Sequence, residues 1–392
     1  MNELTCYKGL GFNSYIIRGA IATYISAVMP IISESLSLTY TQVGLIFAGN
    51  SVGILIGAVI MGMLIDHFGT KKPLLLAFGA FPAGVILFVL AKNVSLFFIA
   101  NVIIGLSTTA MEVGIAPISR MFKGGSGKIL NLIHAFYALG SMISPLAASF
   151  LISRNLPFAA FFFVIAGYTC IPLYFSNRLS IHIEPVQKTE RGDQKDYLSS
   201  LLRNKFFWFI LFAQFFYVAS EGGVFSWAPI YSTDYLKNTA ELSSLLPSTF
   251  WVGLLVGRLL SSRFVDKVGH LRWLVLITAI GLPITFLAQM SPSPFMFLTI
   301  LTVLSGLMHA SVTPTLQSLL VETVNKGLGF ALSLFSVASS FGYMLSSFVI
   351  GNVSTSVGIK WGYFIPFLFF SGIFVMIMLF VIFQKREDKV RM

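Results

Sequence analysis

Apolar runs of roughly twenty residues recur along the whole chain, and short polar connectors separate them. Folded as an α-helix, a run of that length matches the hydrocarbon thickness of a bilayer. The pattern predicts twelve membrane-spanning helices, at residues 11–31, 41–65, 73–91, 95–121, 129–152, 157–176, 206–231, 241–265, 271–290, 294–320, 327–352 and 361–384. We therefore expect an all-α membrane protein.

One polar connector, at residues 177–205, is much longer than the others and has six predicted spans on either side. It is dense in charged residues and poor in apolar ones, which is typical of a solvated linker. We expect a six-helix bundle at residues 1–176, a cytoplasmic linker at 177–205 and a second six-helix bundle at 206–392.

The two halves of the chain repeat one another in sequence. Six residues around the loop after the second span recur at a constant offset of 200. They are Val52, Gly53, Gly57, Asp66, Gly69 and Lys72, which recur as Val252, Gly253, Gly257, Asp266, Gly269 and Arg272. These matches indicate an internal repeat, and parallel six-span repeats are typical of one large class of transporters. Gly49, Gly53 and Gly57 share a helix face, which predicts close packing against a neighbouring helix.

Composition excludes the soluble classes of protein. Only 10% of the residues are charged and 56% are hydrophobic, whereas a soluble domain carries about a quarter of charged residues. The net charge of +11 does not indicate nucleic-acid binding, because the charges lie in the connectors.

Alternate connectors hold 20 of the 26 Lys and Arg residues, which predicts a cell (inner) membrane protein with both termini cytoplasmic. Cys6 and Cys170 have no spacing that predicts a disulfide framework or a metal site.

The loop after the second span carries a known signature. Residues 62–72 (GMLIDHFGTKK) closely resemble the pattern G-x-L-x-D-x-x-G-x-(R/K)-(R/K) of the major facilitator superfamily, and residues 263–272 echo it. The resemblance implies the major facilitator fold, with twelve helices in two six-helix repeats that transport a solute by alternating access. An aspartate here can pair with an arginine across the bundle. We expect a conformational gate that pairs Asp66 with Arg120, and a looser counterpart that involves Arg258 and Glu322.

Three further segments resemble a narrower family. Residues 105–117 (GLSTTAMEVGIAP) and 130–140 (LNLIHAFYALG) are similar to spans four and five of the fucose:proton symporter family. Residues 216–227 (FYVASEGGVFSW) resemble the seventh span of its glucose-transporting members. The resemblance implies a sugar permease driven by an ion gradient. Ser26 departs from the pattern, since the fucose permeases of that family carry a functional aspartate there.

Glu112 and Glu221 are carboxyl groups inside predicted spans, where an ionisable residue is costly and is by default a functional candidate. The alternative is a structural carboxyl satisfied by a neighbouring helix. Burial in an apolar setting favours the neutral form of a carboxyl group, which suits a proton carrier. Because Ser26 replaces the aspartate of span one, we assign the coupling proton to Glu112 and a substrate-orienting role to Glu221. Gly222 and Gly223 predict a looser helix at that point.

Other polar residues complete the predicted substrate site. Asn131 and His134 lie one helical turn apart and can both donate and accept hydrogen bonds, as sugar hydroxyls require. Trp227 can stack on a sugar ring, although a core-packing role is the alternative for every aromatic residue here. His309 has less support from its context. Arg18 is either a structural ion-pair partner or a group that neutralises an anionic substrate.

We expect a secondary transporter that imports a sugar or polyol by proton symport, as a monomer, with H⁺ and lipid as partners and no cofactor or metal. The alternative is an efflux antiporter for drugs or metabolites, since residues 140–148 (GSMISPLAA) partly resemble an antiporter pattern. A membrane enzyme is not expected, because no nucleophile and base recur at a suitable spacing. Residues 123–128 (KGGSGK) lack the first glycine and the final Ser or Thr of a phosphate-binding loop.

Overall fold

The computed structural model describes residues 3–69, 71–115, 126–178, 201–290, 294–324 and 328–391. Within these ranges it describes the backbone alone for residues 62, 65, 66, 126–132, 134, 262, 266, 328–330 and 387–391. The regular secondary structure of the described residues is helical. Twelve of its helical segments are long and apolar enough to cross a membrane, which confirms the predicted number of spans.

The helices of the first half are α1 Glu3–Ser35, α2 Tyr40–Phe68, α3 Lys71–Leu90, α4 Val94–Ile115, α5 Ser126–Ser153, α6 Ala159–Tyr168 and α7 Cys170–Arg178. Those of the second half are α8 Lys205–Asp234, α9 Ala240–Ser243, α10 Leu246–Val268, α11 His270–Met290, α12 Phe295–His309, α13 Val312–Thr323, α14 Leu328–Val357 and α15 Ile359–Arg391. Span six consists of α6 and α7, span eight of α9 and α10, and span ten of α12 and α13.

The chain packs as two compact units. The first unit consists of Met1–Val186 and Phe225–Ser248, and the second consists of Gln187–Val224 and Thr249–Met392. The segment Phe225–Ser248 therefore packs with the first half of the chain, although it follows the linker in sequence. The bundle boundaries expected from the sequence, 1–176 and 206–392, stay a prediction.

Close backbone contact joins α2 to α4 in the first unit. A Cβ atom added at Gly53 would overlap the carbonyl oxygen of Val102, and one added at Gly105 would overlap that of Asn50. Glycine is therefore required for the two helices to approach so closely. The glycine stripe of α2 thus has the packing role that its spacing predicts.

Helix α5 packs on α1 in the same manner. Gly140 lies against the carbonyl oxygen of Ile16. One turn further along α5, the Ser144 hydroxyl donates to the carbonyl oxygen of Ala20 over 2.8 Å. Two of the residues that resemble an antiporter motif are therefore used to pack α5 against α1.

The second unit repeats these contacts about 200 positions later in the sequence. A Cβ at Gly253 would overlap the carbonyl of Val303, one at Gly306 that of Phe250, and one at Gly342 that of Phe215. The Ser346 hydroxyl donates to the carbonyl of Ala219 over 2.6 Å, as Ser144 does to Ala20. The sequence repeat is thus also a repeat of helix-packing geometry.

Span ten contains a break in regular helix, whereas span seven, where the sequence predicts a looser helix, does not. Helix α8 is continuous through Gly222 and Gly223, because the ring of Tyr343 lies against the first glycine and Pro366 against the second. In span ten, α12 ends at His309 and α13 begins at Val312. Pro314 has no N–H group to bond the carbonyl four residues earlier, and its ring clashes with that carbonyl in a regular helix.

Candidate functional site

An ion pair lies inside the first unit. The Arg18 guanidinium on α1 donates from Nη2 to Oε2 of Glu112 on α4. The Arg18 side chain is 13% exposed and that of Glu112 is 39% exposed, so the carboxylate is the more accessible partner. Each residue alone is costly in a membrane span, and the pair neutralises both charges.

Aromatic rings surround the arginine of this pair. The guanidinium carbon of Arg18 lies 4.8 Å from the ring centroid of Tyr15 and 5.8 Å from that of Tyr137, within the range of cation–π attraction. Residues of α1, α4 and α5 therefore hold the side chain in place. Among the residues that the structure describes, the buried Nε of Arg18 has no hydrogen-bond partner. A buried donor without a partner is costly unless a ligand or water accepts from it.

The ion pair was only partly foreseeable. The sequence identifies both residues as charges within predicted spans. It leaves open that Arg18 is a structural ion-pair partner and that Glu112 is a structural carboxyl group bonded by a neighbouring helix. It does not join them, because 94 residues separate the partners and no periodicity spans that distance. The charges within the predicted spans nearly cancel, and this balance was the signal in the sequence that they pair with one another.

A stripe of polar side chains runs along α8 in the second unit. Gln214, Tyr217 and Glu221 lie on one helix face, and the Tyr217 hydroxyl donates to Oε1 of Glu221. The Gln214 amide donates from Nε2 to the Ser339 hydroxyl over 2.8 Å and accepts from the Thr313 hydroxyl over 3.0 Å. The stripe therefore joins α8 to α13 and α14 and presents a half-buried carboxyl group.

Arg258 on α10 contacts the break in span ten. Its Nε donates to the carbonyl oxygen of Ala310 over 3.3 Å. Arg258 thus supplies a hydrogen-bond donor to a carbonyl group at the helix break.

His309 is fully buried at the end of α12. Its Nδ1 lies 2.8 Å from the carbonyl oxygen of Ser305, and because a carbonyl only accepts, Nδ1 carries the proton. Its Nε2 lies 3.0 Å from the hydroxyl of Ser220, which is itself 2.8 Å from the carbonyl oxygen of Pro366. These contacts give His309 a structural role that ties α12 to α8 and α15.

Trp227 is fully buried in the first unit and packs edge-to-face on Phe47, with ring centroids 5.7 Å apart. Within the described part of the chain, its indole N–H has no hydrogen-bond partner. A buried donor of this kind is costly unless a ligand or water accepts from it. Trp227 therefore remains a candidate for hydrogen bonding as well as for stacking.

Several predicted residues lie outside the described part of the chain. They are Arg120 and the side chains of Asp66, Asn131 and His134. Of the other predicted gate residues, Glu322 pairs with His270, with Oε1 and Nδ1 2.8 Å apart, and Arg258 bonds Ala310. Arg258 and Glu322 do not pair in this structure, and the gating roles stay predictions.

The chain also matches a family model described as Major Facilitator Superfamily, over residues 11–276 and 233–391. The chain belongs to the major facilitator superfamily. It has the twelve spans and the repeated helix packing that this membership requires, and it is a multi-pass membrane transporter. The loop signature at residues 62–72 had indicated the same family.

Three known proteins illustrate its relations within the superfamily. It is 25% identical over 275 residues to the protein TsgA homolog of Buchnera aphidicola subsp. Acyrthosiphon pisum, covering 69% of each chain. It resembles a point mutant of the nucleoside transporter NupG with a TM-score of 0.79 and 14% identity, covering 97% of this chain and 99% of that one. For a variant of the E. coli fucose:proton symporter FucP the TM-score is 0.65 and the identity 18%, with 96% and 98% covered. The two structural likenesses show the fold.

Proposed function

We propose that this transporter moves a small polar solute, a sugar or polyol, by proton-coupled symport through alternating access. The observation that carries the proposal is the Arg18–Glu112 ion pair. Guanidinium N–H groups donate hydrogen bonds and carboxylate oxygens accept them, so the pair suits the hydroxyl groups of a polyol, which do both. The similarity of residues 105–117 to the fucose:proton symporter family supports the same solute class.

The same pair provides a route for coupling a proton to the solute. A proton on Glu112 removes the negative charge that holds Arg18, which leaves more donors free for a substrate. Proton binding then raises the affinity for the substrate. By thermodynamic linkage, substrate binding raises the affinity for the proton by the same factor. The Nε of Arg18, which has no hydrogen-bond partner among the described residues, supports this role because it is a further donor.

The second unit supplies the orienting residue in this proposal. Glu221 accepts substrate hydroxyls while Tyr217 holds its carboxyl group in one orientation. Asn131, His134 and Trp227 complete the set of hydrogen-bonding and stacking side chains. The proposal places the transporter in the inner membrane as a monomer, with both termini cytoplasmic.

A binding screen followed by a transport assay tests the proposal. The purified protein is heated with members of three classes of compound, namely sugars and polyols, organic anions, and lipophilic cations, because a ligand of the native state raises its apparent stability. A stabilising sugar or polyol is then supplied, radiolabelled, to proteoliposomes with an inward proton gradient. We expect accumulation that collapses when an ionophore removes the gradient.

The screen also discriminates the alternative of drug or metabolite efflux. An antiporter would be stabilised by lipophilic cations or by a metabolite outside the polyol class, and an inward proton gradient would drive such a solute out of the vesicle. Stabilisation by lipophilic cations alone, without any effect of sugars or polyols, would contradict the symport proposal.

A further inference from the structure

The Arg18–Glu112 pair of the first unit is electrically neutral as a whole. Tyr15 on α1 and Tyr137 on α5 face the guanidinium, and a phenol carries no charge at about pH 7. The side chain of His134 lies outside the described residues. Among the described side chains that contact the pair, Glu112 is the anion that balances Arg18. An event that removes the charge of Glu112 therefore leaves an excess positive charge on these contacts.

Uptake of the coupling proton in the proposed symport is such an event. A guanidinium without a counter-charge is costly inside a membrane span, and cation–π contacts offset only part of that cost. A neutral sugar offers hydroxyl groups to the arginine but brings no negative charge. A solute that carries a carboxylate restores the balance, so the proton and the anion compensate one another at this site.

One edge of the Arg18 guanidinium suits a carboxylate. The Nε and Nη2 atoms of an arginine direct N–H groups to the same side, and two such parallel donors bind the two oxygens of a carboxylate. In the structure Nη2 donates to Oε2 of Glu112, while the buried Nε has no partner among the described residues. Glu112 thus uses one donor of an edge that can hold a carboxylate with both.

Two buried hydroxyl groups, each one helical turn from a member of the pair, also lack partners. Ser14 precedes Arg18 by one turn of α1, and Thr109 precedes Glu112 by one turn of α4, so each shares a helix face with a charged residue. Within the described part of the chain, neither hydroxyl oxygen has a hydrogen-bond partner. Buried hydroxyls are costly unless a ligand or water bonds them, and they match the hydroxyl groups of a polyol.

We propose that the Arg18–Glu112 pair makes this transporter selective for polyhydroxy carboxylates, the class of the sugar acids. The solute carboxylate replaces that of Glu112 on Arg18 when Glu112 takes up a proton, and the solute hydroxyls bond Ser14 and Thr109. The inference rests on the proposed proton symport and names the solute class within it. One proton enters with one anion, so the loaded site has the same charge as the empty site.

Matched pairs of solutes test the proposal on the purified full-length protein. Each sugar acid is compared with its neutral alcohol of the same configuration, such as D-gluconate with D-glucitol and D-glucuronate with D-glucose, and affinities are obtained from thermal shifts. We expect an acid of the panel to bind about tenfold or more tightly than its alcohol, the difference that hydrogen bonds to charged groups supply. If no acid binds more tightly than its alcohol, the proposal is overturned.

A neutral double variant separates anion binding from folding. Arg18→Met/Glu112→Gln leaves no single charge behind, so it should fold, and the acid should lose its advantage over the alcohol. Glu112→Gln alone keeps the cation and should retain the preference for the acid. Arg154→Gln removes an exposed arginine after α5 and should behave as the wild type. A preference for the acid that persists in the double variant overturns the proposal, since another group then binds the carboxylate.

Charge movement in proteoliposomes provides a second readout. Uptake of the radiolabelled acid is driven by a fixed inward proton gradient, with and without an inside-negative potassium diffusion potential. Because one proton accompanies one monoanion, we expect the rate to be the same in both conditions. Acceleration by the potential would show that net positive charge enters with the solute, which overturns the proposal.

The outcome is separable from that of the proposed function. Proton-driven accumulation of a neutral polyol, without any preference for its acid, refutes the carboxylate site and leaves the symport proposal standing. Selective binding of an acid without proton-driven uptake contradicts symport and leaves the carboxylate site standing.

Discussion

At the residue scale, Arg18 and Glu112 define the chemistry available inside the first unit. Opposite charges within membrane spans are tolerated as a pair, because each removes the need to solvate the other. The cation–π contacts of Arg18 with Tyr15 and Tyr137 also restrain the guanidinium beside the carboxyl group. In the proposed mechanism, a proton is exchanged at Glu112 while these contacts retain the arginine.

Replacement of Glu112 by Gln should uncouple transport from the proton gradient. The amide retains the size and an acceptor oxygen but cannot be ionised, so the variant is fixed in a neutral form resembling the protonated carboxyl. We expect exchange of the identified solute across the membrane to continue, while accumulation driven by a pH gradient is abolished. Accumulation that survives in Glu112→Gln would place the coupling residue elsewhere, with His134 as the next candidate.

Replacement of Arg18 by Met should destabilise the protein because it leaves the Glu112 carboxylate without its partner. The loss should be about 1–3 kcal/mol, toward the lower end since Glu112 is partly exposed. The double variant Arg18→Met/Glu112→Gln should recover most of it in a thermal unfolding assay at neutral pH. If the double variant is no more stable than Arg18→Met, the cost lies in lost packing on the tyrosines and not in the unpaired charge.

At the scale of secondary-structure elements, the internal repeat preserves the positions at which the backbones of two helices are in contact. Helices α2 and α4 meet at glycines, as do α10 and α12 in the second unit. Small residues allow close approach where lipid provides no hydrophobic driving force between helices. The break in span ten shows how one proline and one arginine modify a repeat unit without disturbing this packing.

The glycine contacts can be tested by matched alanine substitutions. Gly53→Ala and Gly253→Ala should each lower thermal stability, because the new Cβ overlaps a carbonyl oxygen of the facing helix. Gly79→Ala is the control, since the space around that α3 glycine is open and alanine favours the helix by about 1 kcal/mol. Equal effects at all three positions would show that helix propensity, and not backbone contact, determines the result.

At the scale of the whole molecule, the expected gate determines from which side of the membrane the substrate site is accessible. Alternating access needs interactions that form in one state and break in the other. The loop signature assigns this part to Asp66 with Arg120. The described contacts of Glu322 with His270, and of Arg258 with Ala310, belong to the state that the structure represents.

Asp66→Asn should shift the transporter toward its inward-open state, because it removes the anion that we expect to pair with Arg120. The measurement is labelling of single introduced cysteines from each side of the membrane. Cys6→Ser and Cys170→Ser provide the background, since both native thiols are free. Glu241→Gln is a control for loss of a carboxyl group at the surface. Unchanged accessibility from both sides in Asp66→Asn would refute the gate assignment.

The sequence alone determined the twelve spans, the internal repeat and the superfamily. These depend on hydrophobic length and on motifs at fixed spacing, which are local properties of the chain. The tertiary structure decided which polar residues meet. Arg18 bonds Glu112 across 94 residues and Arg258 bonds Ala310 across 52, and such pairs depend on how helices pack and rotate against one another.

The break in span ten illustrates the same division. Pro314 was visible in the sequence, but a proline in a membrane span is often accommodated without a break, whereas Gly222 and Gly223 wrongly indicated one in α8. Packing decided both cases. Tyr343 and Pro366 fill the space beside the two glycines and keep α8 regular, while the donor from Arg258 lets span ten break at Ala310.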